Sequence, residues 1–171
     1  MALIIEDGSL VANANSYVTL SEVRAYADAR GIILPLADVD LEPLIIKASD
    51  YIESISNFKG DKVEANQSLN WPRANVSIGL SVVNPTIIPS QIKKAQLQLT
   101  MHSNDNVDLN PITTGNFVVR EKIGPIETQY SEKLNTDLAP QLPLVEALLT
   151  PLLSPFKPKY GGFGFLPVTR I

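Results

Sequence analysis

The chain has 171 residues, 44% of them hydrophobic and 19% charged, with a mean hydropathy of +0.07. That is enough chain, of the right composition, for one globular domain with its own core, or for a domain and a tail. It has no cysteine and a single histidine, which excludes disulfide scaffolds, thiolate zinc sites, iron–sulfur clusters, cysteine nucleophiles and multi-histidine metal centres, while a formal charge of −4 and a pI near 5.0 argue against a general nucleic-acid binder with a basic surface.

The amino terminus, Met1-Ala2-Leu3-Ile4-Ile5-Glu6-Asp7, has a short apolar run and no basic region, so no signal peptide is expected. The next helical pattern starts at Thr19. This residue is placed to cap a helix, Glu22 three residues on completes a capping box, and Gly31 ends the segment after Val23, Tyr26, Ala27 and Arg30. A second helix is expected with Asp40 as its cap and Pro43 in its first turn, where a missing N–H does no harm. Its apolar stripe is Leu41, Leu44, Ile45, Ala48, Ile52 and Ile55; it frays near Asn57 and Gly60 closes it.

Residues 61–87 read as a long connection carrying Trp71-Pro72-Arg73; a structureless stretch of this length is uncommon inside a compact domain. Residues 74–92 are uncharged but interrupted by Asn75, Asn84, Pro85 and Pro89, too polar to span a bilayer, so no membrane association is expected. A third helix is expected from Pro89 to about His102. Ile92, Ala95 and Leu99 form one stripe and Leu97 with Met101 a second, the pattern of a helix held between neighbours. After a polar loop, residues 117–122 and 126–130 read as two strands of a hairpin around Gly124-Pro125. A short fourth helix has Pro143 in its first turn, then Leu144, Val145, Leu148, Leu149 and Leu152, with Pro151 kinking or ending it.

From Ser154 the periodicity stops. Six of the thirteen prolines fall between Pro140 and Pro167, and in the last stretch they alternate with Phe156, Tyr160, Phe163, Phe165 and three glycines. Charge is polarised too: residues 1–60 hold nine acids against four bases, whereas residues 154–171 hold Lys157, Lys159 and Arg170 and no acid. The fold expected is mainly α (α+β): a small helical bundle with a β-hairpin over residues 1–153 and an extended C-terminal arm over 154–171. Extended, the arm reaches about 60 Å at roughly 3.3 Å per residue, against a gyration radius near 15 Å for a domain of this size.

Little in the chain carries chemistry. Asn104, Asn106, Asp108 and Asn110 alternate like a calcium loop, but Leu109 and Gly115 stand where that loop needs glycine and glutamate. Gly162-Phe163-Gly164 lacks the strand-then-helix setting of a phosphate cradle. His102 reads as a residue of the third helix's C-terminal end, and Asp38 with Asp40 as helix-start carboxylates rather than a metal pair. No catalytic residue, metal or cofactor is expected, and the chain does not read as an enzyme. Trp71 and Arg73 are candidates for a loop anchor or an inter-subunit contact. The arm residues Phe156, Lys157, Lys159, Tyr160, Phe163, Phe165 and Arg170 are candidates for docking on a partner.

An ordered set of segments supports a resemblance. Glu6-Asp7-Gly8, Ala12-Asn13-Ala14-Asn15-Ser16-Tyr17-Val18, Tyr26, Arg30-Gly31 and Leu69-Asn70-Trp71-Pro72-Arg73 belong to it, as do Val119-Arg120-Glu121-Lys122-Ile123-Gly124-Pro125 and residues 144–153. Together they resemble a tailed-phage family labelled DnaT-like single-stranded-DNA-binding protein, which looks like the head–tail connectors, or adaptors, below the portal ring. The resemblance implies a homo-oligomeric, dodecameric ring of structural subunits in the virion neck, assembled in the host cytoplasm. It further implies an arm on the portal protein, a downstream tail or collar protein, and double-stranded DNA passing without sequence recognition. The alternative is a single-stranded-DNA-binding protein. Such proteins use a positive groove with aromatic platforms; here aromatics are 6% of the chain and the bases are scattered or lie in the arm.

Overall fold

A computed structural model describes residues 2–110, 120–123, 126–129 and 141–154. Helix α1 (Leu20–Asp28) starts where the capping box places it. The Thr19 hydroxyl accepts from the Glu22 N–H at 3.2 Å, and the Glu22 carboxylate accepts from the Thr19 N–H at 2.7 Å. Val23 and Ala27 are its buried face. Helix α2 (Asp38–Glu53) begins earlier than its sequence suggests. Ala37 is the N-cap and makes no side-chain bond, so Asp38 and Asp40 both lie in the first turn and Asp40 is not the cap. Two carboxylates in that turn suit the positive end of the helix dipole. Pro43 is therefore the sixth helical residue and lies beyond the first turn. It removes one backbone donor on an exposed side, while Leu41, Ile45, Ala48, Ser49 and Ile52 bury the opposite one. The helix stops at Glu53, before Ile55 and Asn57.

The expected long connection contains regular structure. Strand β1 (Asp61–Lys62) pairs antiparallel with β2 (Arg73–Ala74), Asp61 opposite Ala74 and Lys62 opposite Arg73. Strand β3 (Ser77–Ile78) pairs with β4 (Ser81–Val82). Two-residue strands have no room for the alternation that marks a strand in sequence. Gly60, directly before β1, lets the chain pass close to β2. Its φ is +67°, and a Cβ there would lie 2.1 Å from the Ala74 carbonyl oxygen.

Helix α3 (Ser90–Asn104) follows, with Pro89 as its N-cap. Both of its apolar stripes are used. Ile92, Ala95 and Leu99 join Ala48 and Ile52 of α2 and Tyr17, Phe58, Leu69 and Trp71 in the larger core cluster. Met101 joins Val18, Val23, Ala27, Leu41 and Ile45 in a second cluster, with Leu97 packed against it. The helix is thus held between α2, α1 and helix α4 (Pro143–Leu149), which supplies Val145 and Leu149. Pro143 opens α4, and a 3-10 turn, Thr150–Leu152, replaces the α-helix around Pro151. Strand β5 (Arg120–Ile123) pairs antiparallel with β6 (Ile126–Gln129), Ile123 opposite Ile126. Residues 117–119, 124, 125 and 130 of the expected hairpin, and the whole stretch 155–171, lie outside the described residues. The described fold is mainly helical α+β, with three two-stranded antiparallel sheets among its described residues.

Gly60 and Gly31 separate steric demand from backbone demand. Both have positive φ, but a Cβ at Gly31 meets nothing within 4 Å. Gly31→Ala should cost about 1 kcal/mol, the ordinary penalty of the left-handed region. Gly60→Ala should cost clearly more, read from urea midpoints of the two variants.

Candidate functional site

Three of the segments that carry the resemblance, Glu6-Asp7-Gly8, residues 12–18 and Leu69-Asn70-Trp71-Pro72-Arg73, lie together near the C-terminal end of α2. Glu6 is buried, and its carboxylate is spent on the backbone. One oxygen accepts from the N–H groups of Gly8 (2.8 Å) and Leu10 (3.0 Å), the other from Val11 (2.8 Å). These three bonds satisfy a buried charge and hold the loop over residues 8–11. Asn15 closes the same loop against Ile4, accepting from its N–H at 2.8 Å. Ser68 reaches in from the later loop, donating to the Val11 carbonyl at 3.2 Å.

Tyr17 lies at the centre and is fully buried. Its hydroxyl donates to Glu53 at 2.5 Å and accepts from the Trp71 N–H at 3.1 Å. The other Glu53 oxygen accepts from the Asn70 N–H at 2.6 Å, and the Asn70 side-chain amide donates to the Glu53 carbonyl at 3.0 Å. Gln96 of α3 accepts from the Tyr17 N–H at 2.8 Å and donates to Ser16 and to the Ile45 carbonyl. Burial, reinforced by the Glu53 charge, pushes the Tyr17 hydroxyl well above its ordinary value of 10.0. Burial also raises the Glu53 carboxyl above 4.5, opposed by its bonds to Tyr17 and Asn70. Sequence reasoning passed over Glu53, Asn70 and Gln96. The signal was a polar residue, Gln96, set inside an apolar helical stripe.

Trp71 is fully buried, edge-on to Phe58 with ring centroids 5.7 Å apart, and is joined to Pro72 by a cis peptide bond. Arg73 neither stacks on the indole nor pairs with a carboxylate. Its guanidinium donates to the carbonyls of Lys59 (2.8 Å), Gly60 (2.6 Å) and Asn70 (3.4 Å), tying the chain just before β1 to the loop just before β2. The motif occupies the interior of the loop and offers no stacking face. The arm candidates Phe156, Lys157, Lys159, Tyr160, Phe163, Phe165 and Arg170 lie outside the described residues.

Other bases are used in the same inward way. Arg24 donates to the carbonyls of Pro35 and Leu36 and pairs with Asp38 at 2.6 Å. Arg30 lies 3.4 Å over the Tyr26 ring. Lys59 donates to the Pro151 carbonyl at 2.8 Å, and Lys93 pairs with Glu22. Among the described residues every aromatic ring is buried or half-buried, and no three His, Asp or Glu side chains meet as a metal site. No described helix is long and apolar enough to cross a membrane.

What the surface does offer is apolar. Ile33, Leu36 and Val39, between α1 and the start of α2, are 88%, 95% and 67% exposed. Leu80, Val82 and Ile87, on and after the β3–β4 hairpin, are exposed as well. A cleft of about 420 Å³ lies between α2 and the turn after α3, with Leu44, Val107 and Leu109 as its apolar wall and Lys47, Asp50, Tyr51 and Asp108 among its polar groups.

The Tyr17–Glu53 pair sets a pH dependence. Both groups hold their protons more tightly in the folded chain than in the unfolded one. The stability contributed by Glu53 is complete below 4.5 and is lost as pH rises through its raised native value. That of Tyr17 is complete below 10.0 and is lost as pH rises through its own. Glu53→Gln should flatten the acidic part of a plot of urea midpoint against pH, and Tyr17→Phe the alkaline part. Tyr17→Phe should also cost about 1–3 kcal/mol at neutral pH, because Glu53 and the Trp71 N–H lose a buried partner.

No curated protein and no solved structure matches the chain. One family model does, across residues 1–170. The chain belongs to the family described as "Putative DnaT-like ssDNA binding protein".

Proposed function

We propose that the chain is a structural subunit of a phage head–tail connector. It assembles with copies of itself into a ring, expected to be dodecameric, through which double-stranded DNA passes without sequence recognition. The arm over residues 154–171 reaches the portal protein, and the opposite face meets a tail or collar protein. The ring belongs to the neck of the virion after assembly in the host cytoplasm. The observation that carries this reading is two groups of exposed apolar side chains outside the core clusters, Ile33, Leu36 and Val39 about the start of α2 and Leu80, Val82 and Ile87 on and after the β3–β4 hairpin. Apolar surface of this kind marks interaction sites. Two different patches on one chain suit a head-to-tail contact, which closes into a ring when the rotation allows. The net charge of −4 suits a channel from which DNA must slide freely.

The second reading is single-stranded DNA binding. The family description favours it and does not bear on the connector. On this reading contact falls to the exposed Lys47, Lys62 and Lys94 and to the arm, because Trp71, Tyr17, Phe58 and Arg73 are committed to the interior.

Sedimentation velocity of the full chain tests the first reading. The unmodified chain should run as a closed oligomer, and Leu36→Glu or Leu80→Glu should each drive it to monomer with unchanged far-UV circular dichroism. A mixture of the two variants should stop at dimers, since each keeps one working patch. A monomer at every concentration overturns the ring. Anisotropy of a labelled oligothymidine tests the second reading better than tryptophan quenching, because Trp71 is buried. Binding that weakens steeply with salt supports it, and no binding at low salt removes it.

A further inference from the structure

We propose that the cleft between α2 and the turn after α3 is the docking site of this chain's own segment 156–160. The cleft offers Leu44, Val107 and Leu109 as an apolar floor, with Asp50 and Asp108 beside it and Lys47 as the one cation among its lining residues. Its volume of about 420 Å³ falls in the range of small-ligand pockets, room for an aromatic ring and its neighbours. A fitting occupant puts one ring on the floor and cations toward the two carboxylates. Phe156-Lys157-Pro158-Lys159-Tyr160 has that composition, and residues 155–171 contain three bases and no acid.

The path is short enough. Ser154 is fixed beside the end of α2: its N–H donates to the Asn57 carbonyl at 2.8 Å, and the Asn57 side-chain amide donates to the Ser154 carbonyl at 3.2 Å. Tyr51 of the cleft precedes Asn57 by six residues and sits in the helix, so the two are separated by at most about 20 Å along the chain, a distance six extended residues also cover. A tether this short holds its ligand at an effective concentration on the order of millimolar. At micromolar protein the chain's own segment therefore wins over that of a second copy. The proposal concerns one chain alone and stands apart from both functional readings. In the connector it makes the cleft a resting place from which the arm is drawn by its partner.

The absence of native cysteine gives a clean test that leaves every charge and ring in place. Asn110→Cys on the cleft rim is combined with Gly161→Cys, just past the docking segment. The control combines Gly161→Cys with Ser81→Cys, exposed on the β3–β4 hairpin. Effective molarity of the disulfide is measured in the full-length chain in glutathione buffers. The cleft pair should close within one chain at least tenfold more favourably than the control, and the advantage should vanish in denaturing urea. Asp108→Lys should reduce it severalfold while the urea midpoint stays unchanged. Equal values for the two pairs, or disulfide-linked dimers in place of closed monomers, would overturn the proposal. Equal values would mean that another segment or ligand holds the cleft; dimers would mean a second copy does.

Discussion

The Tyr17 hydroxyl binds three parts of the chain that are far apart in sequence. It donates a hydrogen bond to Glu53 at the end of α2 and accepts one from the backbone N–H of Trp71, while the Tyr17 backbone N–H is held by Gln96 of α3. Each of these groups is removed from water, so each needs its partner. The consequence extends beyond the network. Gln96 takes the Ile45 carbonyl, the i−4 acceptor that a helical serine at position 49 ordinarily uses, and the Ser49 hydroxyl is left without a partner among the described residues. The fold accepts this orphan, and the Trp71 indole N–H that also has no partner among the described residues, to join the N-terminal segment to two helices at once.

That joint explains why the segments marking the family are where they are. Glu6 organises the loop before it, Ser16 and Tyr17 enter it, and Asn70 and Trp71 complete it from the other side. Arg73 then ties the following turn to Lys59 and Gly60. These residues hold the chain in shape, so their presence identifies the fold more directly than it identifies a ligand. The exposed features are of a different kind: apolar side chains about the start of α2 and on and after the β3–β4 hairpin, and a cleft with two carboxylates. The connector reading draws on the exposed apolar side chains, whereas the single-stranded-DNA reading draws on the family description.

Helices α1, α3 and α4 were legible because each combines a local start signal with an apolar stripe: the Thr19–Glu22 box, Pro89 ahead of two stripes, and Pro143 at a first position. The start of α2 was not, because an aspartate in the first turn and an aspartate at the cap stabilise a helix by related electrostatics and look alike in sequence. The hairpins within residues 61–87 escaped for another reason. Their strands are two residues long, and the first pair brings Gly60 against the Ala74 carbonyl, a contact between residues fourteen apart.

Local chemistry thus settled the class of fold, the number of helices described and the exclusion of cysteine-based chemistry, because caps, stripes and composition act over a few residues. Tertiary packing decided the rest. It took Trp71 and Arg73, which in sequence read first as a loop anchor and second as a contact site, and placed one in the core and the other on backbone carbonyls. It brought together Tyr17, Glu53, Asn70 and Gln96, four polar residues whose spacings follow no motif. The physical reason is the same in both cases. Whether a side chain is buried, and which partner answers its polar atoms, depends on chain segments that meet only after the helices have packed.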